Sequence, residues 1–128
     1  MRLLLDTHTF VWWVRASPSL SFSASNAISN DATSVSVSVV SAWEIAIKVG
    51  RGKWPDAQNL LDEFEQAVTE EGFSLLSISV THVRAAGLMR SPHRDPFDRL
   101  LAAQATSEGL TLVTTDPLVQ QLGTPWLW

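Results

Sequence analysis

The 128-residue chain has no cysteine, only three histidines, and few charges of either sign, 9 basic against 13 acidic. Without thiols there can be no disulfide framework, no thiolate nucleophile and no zinc site built on sulfur. His8, His82 and His93 are too scattered to form a His-based metal motif. Long apolar runs are also missing. Leu3-Leu4-Leu5 ends at Asp6, too short for a secretory signal. The stretch from Val39 to Val49 is interrupted by Ser41, Glu44 and Lys48, far short of a membrane span. A soluble, cytoplasmic protein is therefore expected. There is no internal repeat, no P-loop and no Gly-rich dinucleotide loop. The formal charge of −4 argues, at face value, against a partner held by a basic surface, such as nucleic acid.

Apolar residues make up 45% of the chain and charged ones 17%, a balance suited to a packed core rather than disorder. The length fits one domain, residues 1–128. Period-2 and helical patterns alternate along it. Leu3–Leu5 predicts a wholly apolar strand, and Thr7–Val14 a helix. A short helix is expected over 21–30, a strand over 34–40 with Val at 35, 37 and 39, and a helix from about Ser41 to Gly50. One amphipathic helix is predicted over 56–71, with Leu60, Leu61, Phe64 and Val68 inward. Strand 73–78, helix 80–89, helix 96–108, strand 110–114, a short helix after Asp116 and an edge strand over 125–128 complete the reading. Strands alternating with helices imply an α/β fold in three layers, with a mainly parallel central sheet.

In open α/β sheets chemistry gathers at the carboxyl ends of the strands. Two predicted strands end in an acid, Leu3-Leu4-Leu5-Asp6 and Leu112-Val113-Thr114-Thr115-Asp116. A third group, His93-Arg94-Asp95-Pro96-Phe97-Asp98, opens a helix, and Glu44 interrupts an apolar helical run. Each has a purely structural reading. Asp6, Asp95 and Asp116 are each placed to cap a helix, and Ser41-x-x-Glu44 has the form of a capping box. Capping explains Glu44 poorly if its helix starts nearer Ser38, because a buried carboxylate costs several kcal/mol without a partner. Taken together, acids converging on one edge repel, and a divalent cation removes that penalty. Oxygen ligands without Cys or paired His favour Mg²⁺ or Mn²⁺. Such ions polarise phosphates and acidify water, which suits phosphodiester or phosphate-ester cleavage without a protein nucleophile.

The ordered set Asp6-Thr7-His8, Ser38-x-x-Ser41-x-Trp43-Glu44-Ile45, His93-Arg94-Asp95-Pro96-Phe97-Asp98-Arg99 and Thr114-Thr115-Asp116 resembles the PIN-domain ribonucleases. More narrowly, it resembles the VapC-type toxins of toxin–antitoxin pairs, over nearly the whole chain. The resemblance implies a PIN-like fold and cleavage of RNA by a water activated by Mg²⁺ or Mn²⁺. It implies Asp6, Glu44, Asp98 and Asp116 as catalytic metal ligands. The resemblance favours Asp98 over Asp95, because the run from Arg99 to Ala105 that follows it aligns with the family's helix bearing the third acid. Asp95 is then a cap or an outer group, and Thr114 or Thr115 orients Asp116 or a water. An antitoxin protein and a homodimeric state are implied as well, and an exposed Trp12, Trp13 or Trp54 would suit such a surface. Trp12 and Trp13 point about 100° apart on a helix, so they do not share one core.

Basic residues flank these motifs. Lys48, Arg51, Lys53 and Arg94 are candidate phosphate contacts, whereas Arg99 reads as structural. His8 and His93 fit hydrogen-bonded imidazoles better than proton donors. Two alternatives compete with the nuclease. An aspartyl-phosphate phosphotransferase would need an acid two residues after Asp6, where His8 stands. A non-catalytic PIN-like binding module has no need to hold repelling acids together. Setting aside Asp6, Glu44, Asp95, Asp98 and Asp116 leaves 9 basic against 8 acidic side chains, so the acidity marks a metal site rather than a barrier to RNA.

Overall fold

The computed structural model describes residues 1–128. Five strands form one sheet: β1 (Arg2–Leu5), β2 (Ser34–Ser38), β3 (Ser74–Leu76), β4 (Thr111–Val113) and β5 (Trp126–Leu127). Their order is β3-β2-β1-β4-β5, and every neighbouring pair is parallel. Eight helices connect them: α1 (Thr7–Val14), α2 (Phe22–Ser29), α3 (Val39–Gly50), α4 (Gln58–Asp62), α5 (Phe64–Glu70), α6 (Val80–Leu88), α7 (Pro96–Glu108) and α8 (Pro117–Gln120). None is long and apolar enough to cross a membrane.

β1 is apolar on both faces because both faces are covered. Leu3 and Leu5 pack with Val35 and Val37 of β2, Phe10 and Val11 of α1, and Phe64 and Val68 of α5. Leu4 points the other way, into a second cluster with Leu112 of β4, Ala86 of α6, Leu101 of α7 and Val119 of α8. Helix α3 joins the two, with Ile45 in the first cluster and Val40 in the second.

The local signals explain most boundaries. Asp95 caps α7, Pro96 occupies its first position, and Gly109 ends it at φ 66°, where a side chain would be strained. Three expectations are corrected. The second strand stops at Ser38 rather than continuing to Val40, because the Ser38 hydroxyl accepts the Val40 N–H (3.0 Å) and starts α3 there. Ser41 therefore lies inside the helix and forms no capping box with Glu44. The single helix expected over 56–71 is a 3₁₀ turn at Pro55–Ala57 followed by α4 and α5, broken at Glu63 (φ −115°, ψ 28°). The break lets Phe64 and Val68 enter the core, while Leu60 and Leu61 lie half-buried against the same cluster.

From β1 the chain steps outward to β2 and β3, then returns to the other side of β1 for β4 and β5. The order reverses between β1 and β4, which opens a crevice at their carboxyl ends. Leu4 is fully buried at this centre. Leu4→Ala is expected to lower unfolding stability by about 2–5 kcal/mol in urea titrations. Leu118→Ala, at an exposed position, should change it by less than about 0.5 kcal/mol.

Candidate active site

Asp6 follows β1 directly. Its N–H donates to the Val113 carbonyl of β4 (3.1 Å), so the residue is tied across the switch point. Its Oδ1 accepts the Thr9 N–H (2.8 Å) and caps α1. The Thr9 hydroxyl also donates to Val113 O (3.0 Å), clamping α1 onto β4. Capping uses Oδ1, and the carboxylate also lines the crevice. The structural and functional readings of Asp6 are therefore compatible.

Glu44 lies in the second turn of α3, and its carboxylate is buried. Oε1 accepts the Thr7 hydroxyl (2.7 Å), and Oε2 accepts from the Lys48 ammonium (2.8 Å) one turn later. Thr7 also lies 3.0 Å from the Ser41 hydroxyl. These partners offset the desolvation that makes a lone buried acid costly. Thr7 was not singled out from the sequence. Its signal was its place directly after Asp6, on the same helix-opening turn.

The third motif forms the other side. Asp95 caps α7 through Oδ1, accepting the N–H groups of Phe97 (2.9 Å) and Asp98 (3.2 Å). Asp98 projects from the first turn, where His93 Nε2 meets its Oδ2 at 2.7 Å. His93 is thus the hydrogen-bonded imidazole expected of it. Arg99 is structural, donating to the carbonyls of Ala86 (3.0 Å), His93 (3.3 Å) and Met89, which pins the connection between α6 and α7. Asp116 caps α8 by accepting the Leu118 N–H (2.9 Å), and its own N–H donates to the buried Thr114 hydroxyl (3.2 Å).

These elements enclose a cavity of about 480 Å³, and all five acids (Asp6, Glu44, Asp95, Asp98 and Asp116) line it. Thr115 lines it as well, and Lys48 and His8 are its basic wall residues. Arg51 and Lys53 are exposed in the turn after α3, outside the cavity, and Arg94 lines a separate one. No three acidic or imidazole side chains are drawn tightly enough to cage an ion by themselves. Thr7, Lys48 and His93 hold oxygens of Glu44 and Asp98. The donor set, carboxylate and hydroxyl oxygen, suits a hard ion that keeps several of its own waters.

Burial of the acids shows in their protonation. Burial pushes the Asp6 carboxyl up, against hydrogen bonds from Thr114 and Thr9 that lower it. Burial raises Asp98 from 3.8 to about 6; the His93 hydrogen bond opposes this, and the Asp95 and Glu44 charges add to it. The folded state thus binds more protons than the unfolded chain between those values, so stability falls as pH rises through that window. Without divalent ions, the melting temperature is expected to drop from pH 4 to pH 7. Asp98→Asn should flatten that drop and melt higher than the parent at pH 7.5. A lower melting temperature for Asp98→Asn at that pH would contradict the assigned cause.

A PIN domain model matches residues 3–123. Ribonuclease VapC22 of Mycobacterium tuberculosis (strain ATCC 25618 / H37Rv) is 32% identical over 114 residues, covering 89% of this chain and 86% of that protein. The solved structure of VapBC2 from Rickettsia felis, bound to a DNA fragment from its promoter, aligns over 99% of this chain and 98% of that one, with TM-score 0.71 and 18% identity. FitAcB from Neisseria gonorrhoeae aligns over 100% and 97%, with TM-score 0.66 and 20% identity. At such identities the two structures speak for the fold. With the family model covering almost the whole chain and a relative above 30% identity, the chain belongs to the PIN-domain family.

Proposed function

We propose that this chain, as a single PIN domain, is an endoribonuclease dependent on Mg²⁺ or Mn²⁺, acting in the cytoplasm as the toxin of a toxin–antitoxin pair. The observation that carries the reading is the convergence of five carboxylates on one cavity at the sheet's switch point. The likeness to Ribonuclease VapC22 supports RNA as the substrate. The assemblies of the structural neighbours, VapBC2 and FitAcB, support a protein antitoxin.

In this reading Asp6, Glu44, Asp98 and Asp116 hold the ion. When bound, it supplies Lewis acidity at the phosphate and a more acidic water. The chain's own residues prepare the site. The Thr9 N–H turns Asp6, Thr7 aims Glu44, and the His93 imidazole fixes Asp98. Thr114 and Thr115 steady the stretch before Asp116. Lys48 is placed to exchange its bond with Glu44 for an oxygen of the phosphate. Arg51, Lys53 and Arg94 reach the flanking backbone of a longer RNA, positioning it without reading sequence. Without the metal, RNA should bind poorly against the uncompensated acids.

A homodimer and a bound antitoxin require apolar surface. The sequence pointed to Trp12, Trp13 and Trp54, yet all three are half-buried. The large exposed apolar groups are instead spread over the surface, with Phe22 on α2, Leu118 on α8 and Trp126 on β5 as well as Trp43 on α3 and Val80, Val83 and Leu88 on α6. Trp43 meets Phe97 edge-on at 4.9 Å beside a cavity of about 500 Å³ that Val83 and Arg94 also line.

The test is cleavage of cellular RNA with mapped ends, with Mg²⁺ or Mn²⁺ and with excess EDTA. Cleavage is expected only with the ion, and Asp6→Asn should abolish it. Asp98→Asn should be more damaging than Asp95→Asn, since Asp95 serves α7 as a cap. Either ion should raise the melting temperature of the parent. Full activity in EDTA, or in Asp6→Asn, would remove the reading.

A further inference from the structure

One wall of the acidic cavity has no part in holding an ion. His8 and Trp12 lie one turn apart on α1, and both line the cavity. Their rings are 5.7 Å apart. The His8 ring stacks on Trp54 at 5.2 Å and 30°, and Trp12 meets Trp128 at 5.8 Å. Lys48 joins this wall to the acids, its ammonium 5.3 Å from the Trp54 ring centre and 2.8 Å from Glu44.

Trp12 differs from its neighbours. Trp13, Trp54 and Trp128 all pack against the first core cluster, whereas Trp12 packs against neither cluster. Trp13 also donates its indole N–H to Glu71 (2.8 Å). A large ring that the core does not use faces a cavity whose other walls are five acids, two threonines, Lys48, His8 and Pro117. Nothing about ion binding calls for an indole there. A flat apolar face beside a phosphate-cleaving centre suits the one flat, apolar part of a nucleotide.

We propose that the Trp12–His8 wall is a stacking subsite for a nucleobase flanking the cleaved phosphodiester. The inference rests on the nuclease reading above and adds a residue that touches the base rather than the phosphate. Stacking needs a base that is free of its duplex neighbours, so a paired strand cannot enter in this way. Every base has a π face, so the subsite tolerates any sequence and leaves base choice to other contacts. His8, backed by Trp54, keeps the wall rigid, and Lys48 places the neighbouring phosphate within reach of the acids.

The test uses the parent chain with Mg²⁺ and a single-stranded oligoribonucleotide containing a mapped cleavage site. Two further substrates carry an abasic ribose at one or the other nucleotide flanking that site. With the parent chain, one abasic substrate should show KM raised about 5- to 100-fold, with kcat little changed. Trp12→Ala should raise KM for the intact oligonucleotide by a similar factor, and Trp12→Phe should recover most of the loss. The two losses should not multiply when Trp12→Ala meets that abasic substrate. Annealing the oligonucleotide to its complement should suppress cleavage. The abasic arm leaves the protein unaltered, so it decides the matter even if Trp12→Ala does not fold. Unchanged KM for both abasic substrates, multiplying losses, or undiminished cleavage of the duplex overturns the stacking while metal-dependent cleavage still upholds the nuclease. Absence of cleavage by the parent chain removes both.

Discussion

Carboxylates that share one cavity repel one another, and much of the surrounding structure answers that repulsion. Burial removes the water that would screen it and pushes Asp6 and Asp98 toward their protonated forms. The fold supplies donors one at a time: a backbone N–H and nearby hydroxyls for Asp6, Thr7 and Lys48 for Glu44, and His93 for Asp98. Each relieves part of the strain, and none removes the excess negative charge. Five acids face one ammonium across the cavity. A chain that only needed helix caps could place them on separate edges. Their concentration here is the observation on which the proposed divalent cation rests.

The parallel sheet makes the concentration economical. Its order reverses beside β1, so the carboxyl ends of β1 and β4 open into one crevice, and the helices that follow begin there. An acid at each helix start caps the helix with one oxygen and also lines the crevice. Asp6, Asp95 and Asp116 all work in this double way. Glu44 arrives differently, from inside α3, which is why it requires a hydroxyl and an ammonium of its own. The same crevice carries the aromatic wall on its α1 side, where His8 and Trp12 lie one turn apart from each other.

Much of this was legible in the amino-acid sequence. The all-apolar Leu3–Leu5, the Asp95-Pro96 start and the Gly109 stop of α7 are local signals, and the structure agrees with them closely. The shared edge of Asp6 and Asp116 followed from strand ends, whereas Asp98 was singled out through the family resemblance. Two kinds of feature were not legible. The break at Glu63 is set by how Phe64 and Val68 enter the core, and the helical periodicity of 56–71 runs through it unaltered. Contacts between distant segments were also hidden. The Thr7–Glu44 bond and the rings of His8, Trp54 and Trp128 join residues far apart in the chain. For Trp12 and Trp13, helical geometry said that they diverge, but only the packed structure shows that Trp12 takes the cavity.

The net charge of −4 first reads as a barrier to RNA, and the placement of the acids inverts that reading. Five of them lie in one cavity, leaving the remainder of the surface near neutrality or slightly positive. The most direct test is a crystal structure grown with Mn²⁺, with data collected to locate its anomalous scattering. The account predicts a peak in the cavity among Asp6, Glu44, Asp98 and Asp116, with water completing its coordination. An empty cavity with Glu44 still bonded to Lys48 at saturating Mn²⁺, or a peak elsewhere on the protein alone, would contradict it.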